Sequence, residues 1–120
     1  YQPHFKRNFV HVLDVCEAFN WVLMSPHTRA NLYNLGHPDA NMTKAELANT
    51  ICKVIGIPET GVYEEAGEDP DKRNYIVSSE KIQKDGFLFT KTLQEGIAEV
   101  ATFWKALEDK DVVKDMGNYI

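Results

Sequence analysis

Two short groups of residues in this chain carry the means to hold an anion: Lys6-Arg7-Asn8 and Asp71-Lys72-Arg73. Each stands just ahead of a run with strand character, Phe9-Val10-His11 in the first case and Tyr75-Ile76-Val77 in the second. An arginine at a strand entrance offers a planar fork of N–H donors that matches phosphate, while a neighbouring carboxylate accepts bonds from ribose hydroxyls. That is the chemistry of holding a nucleotide, not of breaking a bond. The same residues also fit a plain solvated surface. Glu64, Glu65, Glu68, Asp69 and Asp71 lie close by as partners for the cations, and surface pairs of that kind contribute little.

Catalytic signatures are missing. The sequence has no Walker-type phosphate loop, no G-x-G-x-x-G fingerprint and no G-x-S-x-G elbow. His4, His11, His27 and His37 fall in no metal-ligand spacing with one another or with a cysteine. Cys16 and Cys52 both sit in apolar helical patterns and read as buried thiols of a reducing, cytoplasmic compartment.

The bulk composition agrees with a small-ligand protein. A net charge of −5 argues against a nucleic-acid binder, which needs a basic face. With 26% charged and 43% hydrophobic residues the chain is globular in character, and 120 residues suit one domain spanning 1–120. No apolar run approaches the ~20 residues of a membrane helix, and no signal-peptide pattern is present.

The elements that must position these residues follow from periodicity. Residues 8–12 read as a short strand, after which Asp14 stands as N-cap of a helix with Val15, Ala18, Phe19, Val22 and Leu23 on one face. Residues 31–36 read as a second strand and 37–43 as a loop. Thr43 and Glu46 form a capping box for a helix carrying Leu47, Ala48, Ile51, Cys52 and Ile55, which Gly56 and Pro58 end. Strands are expected at 61–66 and 74–78, then a short helix capped by Ser78 or Ser79 and running to Lys84. Thr92 opens the longest helix, to about Glu108, with a stripe of Leu93, Ile97, Val100, Trp104 and Leu107. Residues 108–120 are expected to be an irregular tail. The fold class is therefore mixed α/β, with short strands expected to need a partner sheet.

Several of these stretches, in this order, resemble the carboxyl-terminal part of the extended short-chain dehydrogenases/reductases, the nucleotide-sugar epimerases and dehydratases. "KRNFVHVLDVCEAF" (6–19) is similar to the family segment Arg-Asp/Asn-aromatic-x-His/Tyr-Val-x-Asp. "NLYNLG" (31–36) is similar to its Tyr-Asn-Ile/Leu-Gly strand, "DPDKRNYIVSSEKIQKDGF" (69–87) to its Gly-Asp-x-x-x-x-x-x-Asp-x-x-Lys-x-x-x-x-Gly-Trp/Phe segment, and "TLQEGIAEVATFW" (92–104) to its final helix. The resemblance implies a substrate-binding region in which Arg7 meets the diphosphate of a nucleotide-diphosphate sugar and Asp71 meets the ribose hydroxyls. Asn8 and His11 share the first segment, and His11 is open to two readings, a satisfied half-buried histidine or a ligand contact. The family aspartate matched by Asp14 is already accounted for as an N-cap. Many members carry a second diphosphate-binding arginine where this chain has Glu68. Arg73, two residues beyond Asp71, could supply that charge from another direction or pair with the acidic loop.

The family's Gly-x-x-Gly-x-x-Gly cofactor motif and its Tyr-x-x-x-Lys pair are absent. The expectation is a fragment that lacks its Rossmann half, with no catalytic, metal or cofactor residue of its own and no turnover. Its parent would be an NAD(P)-dependent homodimer, and apolar surface normally covered by the other half would lie exposed. The rival expectations are a non-catalytic interaction module, or part of a reductase or decarboxylase of the same superfamily.

Overall fold

A computed structural model describes residues 3–25, 28, 31–60, 67 and 73–108. The expected strand at 61–66, Asp71, Lys72, the acidic loop and residues 109–120 lie outside the described residues. The elements are β1 (Lys6–Asn8), α1 (Val12–Met24), β2 (Asn41–Thr43), α2 (Lys44–Ile55), α3 (Glu80–Lys84) and α4 (Leu93–Glu108), with one turn of 3-10 helix at Pro38–Ala40 before β2. The mixed α/β class holds, with helix predominating among the described residues.

The first helix starts earlier than its polar residues indicate. β1 ends at Asn8, and His11 rather than Asp14 is the N-cap of α1. The His11 Nδ1 accepts the Leu13 N–H at 3.1 Å, which satisfies one of the donors a helix start leaves open. Asp14 is thereby released from capping and turns inward. It is completely buried, and its carboxylate accepts from the Thr90 N–H at 2.9 Å, the Thr90 hydroxyl at 2.8 Å and the Lys91 N–H at 3.3 Å. The pattern of α1 also differs from expectation. Ala18 is buried, but Phe19, Leu23 and Cys16 face outward. Cys16 is therefore an exposed thiol, in contrast to the buried Cys52.

The helices α2 and α4 form as their sequences dictate. Thr43 caps α2 with a reciprocal box: its hydroxyl accepts the Glu46 N–H at 3.1 Å and the Glu46 carboxylate accepts the Thr43 N–H at 2.7 Å. Gly56 closes α2 at φ 76°, donating to the Cys52 carbonyl. Thr92 and Glu95 repeat the box at α4, at 3.2 and 2.7 Å.

Two expected strands do not form. Residues 31–36 and 74–78 are irregular; the described residues contain one sheet, β1 antiparallel to β2, with Arg7 opposite Met42 and Asn8 opposite Asn41. The physical reason is that side chains take the backbone bonds a ladder would use. The Asn41 carboxamide binds both the N–H and the C=O of Val77, at 2.8 and 2.9 Å. The buried Ser79 hydroxyl accepts the Gly36 N–H and donates to the Gly36 C=O, at 2.9 and 2.6 Å, so it is not available to cap α3. Gly36 is required there, because a Cβ would stand 2.3 Å from the Asn8 Oδ1. The core gathers where α1 and α3 meet: Ala18, Ile82 and Phe87 are buried, with Trp21, Tyr33, Leu35 and Phe89 packed around them.

Candidate functional site

The structure brings the first cationic group to Arg73 and the residues that follow it. Arg7, on β1, sends Nη1 to the carbonyl of Arg73 and, at 2.9 Å, to that of Lys6. Its guanidinium stacks over the Tyr75 ring at 5.3 Å, a cation–π distance. The Lys6 N–H donates to the Asn74 Oδ1 at 2.9 Å, fastening the same two segments a second time. Residues 6–8 and 73–75, separated by more than sixty positions in sequence, thus form one edge. Arg7 is half-buried, while Arg73 is exposed.

The other expected site residues are placed as follows. The Asn8 amide donates to the His37 carbonyl at 2.9 Å and packs against Gly36, so it belongs to the support of this edge. His11 faces away, toward α4: its Nε2 meets the Glu99 carboxylate at 3.0 Å, and it touches Gly96, where a Cβ would come within 2.9 Å of the ring. With Nδ1 accepting from Leu13, the proton of neutral His11 sits on Nε2 and is directed at Glu99. Lys91 completes that cluster at 2.6 Å from Glu99. The hydrogen bond and charge of Lys91, then His11, hold the Glu99 carboxyl below its ordinary range, and Glu99 in turn raises Lys91. Asp71, the expected ribose partner, lies outside the described residues.

Sequence reasoning missed Tyr75. It was absorbed into a strand pattern, although an aromatic two residues from Arg73 was the available cue. It also missed a groove of about 670 Å³ walled by Ile51 and Ile55 of α2 and by Ile97, Val100 and Trp104 of α4, with His11 at its margin. No group of acidic, histidine or cysteine side chains among the described residues is arranged to hold a metal ion. No helix among them is long and apolar enough to cross a membrane.

The turn that joins β1 to α1, Phe9-Val10-His11, contains no glycine to let a pyrophosphate approach the helix N-terminus.

Comparison with known proteins gives a coarse answer. No protein-family model matches the chain. Two anthocyanidin reductases ((2S)-flavan-3-ol-forming) of Vitis vinifera are each 31% identical to it over 99 residues, which cover 82% of this chain. The matched segment spans 28% of the length of those relatives. The similarity supports the short-chain dehydrogenase/reductase superfamily and does not single out its nucleotide-sugar epimerases and dehydratases.

Proposed function

We propose that this chain is the substrate-recognition part of an NAD(P)-dependent nucleotide-sugar epimerase or dehydratase. The observation that carries the reading is the meeting of Arg7 with Arg73 and Tyr75 at one edge. An arginine stacked on an aromatic ring is held in one orientation, so less freedom is lost when phosphate oxygens arrive. In this reading Arg7 meets the diphosphate of the nucleotide-sugar, Arg73 adds positive potential from the exposed side, and Asp71 accepts from the ribose hydroxyls. A longer, homodimeric cytoplasmic parent would supply the nicotinamide, whose chemistry when bound would be hydride transfer, together with the acid/base pair, and this chain would orient the substrate. The exposed apolar face of α1 is in keeping with such a partner half.

The test is a titration of the isotopically labelled chain with UDP, dTDP and GDP, followed by amide chemical shifts. The expected result is a weak, saturable shift at Arg7, Asn8, Arg73 and Tyr75, abolished by Arg7→Ala. No response to any of the three nucleotides would reject the reading and favour an interaction module. A second reading, part of a reductase of the same superfamily, is favoured by the match to the anthocyanidin reductases. Shifts with a (2S)-flavan-3-ol and none with nucleotides would select it.

A further inference from the structure

Residues 73–79 carry the Tyr75 ring and the Arg73 carbonyl to Arg7, yet among the described residues they join no β-ladder. What holds them are side chains, and the most specific is Asn41. Its Oδ1 accepts the Val77 N–H at 2.8 Å and its Nδ2 donates to the Val77 carbonyl at 2.9 Å. One carboxamide thus meets both polar groups of one residue, as a neighbouring strand would. Asn41 itself is fixed in β2, in register with Asn8 across the sheet and one position from Met42, the partner of Arg7. The chain between the two fastenings, Asn74 to Lys6 and Val77 to Asn41, holds Tyr75 under the guanidinium.

We infer that Asn41 is the positioning residue of the Arg7–Tyr75 edge: its carboxamide stands in for a missing third strand and sets the arginine's orientation. The ligand half of this inference rests on the anion-binding reading proposed above; the geometric half does not. The chemistry is narrow. Only a side chain with one donor and one acceptor at this length satisfies Val77 twice. Aspartate has the same shape but, when ionised, offers an acceptor to the Val77 carbonyl, where a donor is required. Alanine leaves both Val77 groups without their partner.

The first measurement uses the unaltered protein. A through-hydrogen-bond coupling between the Val77 nitrogen and the Asn41 side-chain carbonyl carbon is expected, and its absence overturns the inference whatever any variant does. The second compares Asn41→Asp with Tyr75→Leu. In the unaltered chain the Arg7 side-chain protons should be displaced upfield by the Tyr75 ring, and Tyr75→Leu should abolish that displacement. Asn41→Asp should reduce it toward the Tyr75→Leu position while the signals of Phe87 and Ile82 stay put. An unchanged Arg7 displacement in Asn41→Asp sinks the inference. The third titrates inorganic pyrophosphate, with binding expected to be about tenfold weaker in Asn41→Asp, the size of one charge-assisted bond put out of line. If the unaltered chain ignores pyrophosphate while Arg7 still moves in the variant, the anion-binding reading falls and the positioning role of Asn41 stands. If the unaltered chain binds and the variant binds equally well, the positioning role falls alone.

Discussion

Asp14 shows how one residue can serve a purpose its local sequence does not announce. It sits where a cap belongs, but its carboxylate is fully buried and binds three donors of the segment that leads into α4. Removing it leaves the Thr90 and Lys91 donors without their partner and a gap in the interior. Asp14→Ala is expected to cost about 1–3 kcal/mol, the range for leaving hydrogen-bond donors without their partner, with Asp14→Asn intermediate because one oxygen remains. Urea unfolding followed by tryptophan fluorescence checks both, and a loss below about 0.5 kcal/mol for the alanine variant would contradict the structure. Asp14, Arg7 and Asn8 were visible in the sequence as residues worth attention. The pairings they make were not, because Thr90, Arg73 and His37 are brought in from distant positions by packing.

The Thr43–Glu46 box of α2 and the Thr92 start of α4 were the most legible elements, because a capping box is complete within four residues. Both boxes also make stability depend on pH. The Thr43 N–H and hydroxyl hold the Glu46 carboxyl below its ordinary 4.5, and Thr92 does the same for Glu95. Carboxyls lowered in this way add stability that is present above the unfolded value and lost as pH falls through the folded one. Lys91, raised by Glu99, works in the opposite sense: its contribution is present below 10.5 and lost as pH rises past that value. Tyr33, whose hydroxyl donates to Asp85 at 2.6 Å, is likewise raised above 10.0 and adds to the alkaline loss. The melting temperature is therefore expected to stay level at neutral pH and to fall below about pH 4.5 and above about pH 10. In Glu46→Gln the acid fall should be shallower. An acid fall identical to that of the unaltered protein would mean the box at α2 contributes nothing ionic. Thr43→Ala is expected to lower stability by about 1 kcal/mol at pH 7, measured by thermal unfolding.

At the scale of the molecule, the unusual feature is outward apolar surface. Val12, Phe19 and Leu23 are 67%, 68% and 68% exposed on α1, and with Cys16 between them they make a stripe spaced 4, 3 and 4. Val100, Phe103 and Trp104 are also exposed on α4. An exposed stripe of large apolar side chains on one helix face marks a candidate association surface. The chain should bind a hydrophobic dye strongly and self-associate with rising concentration, as sedimentation would show. Phe19→Ser with Leu23→Ser should reduce both effects while changing stability by no more than about 1 kcal/mol, as two exposed substitutions do. A double variant that associates as before would place the contact elsewhere.

Sequence alone determined the helices α2 and α4, the mixed class and the interest of Arg7, because caps, heptad-like stripes and a charged residue at a strand entrance are local patterns. It also carried the coarse kinship, through four short segments in order. Tertiary structure decided the rest. It moved the first strand from 8–12 to Lys6–Asn8, moved the cap of α1 to His11, and turned Cys16 outward. It left residues 31–36 and 74–78 without a ladder, since Asn41 and Ser79 take the backbone groups that a strand would have paired. It joined Arg7 to Tyr75 as well. Those outcomes depend on which distant group reaches a given N–H or C=O first, and no window of neighbouring residues contains that information.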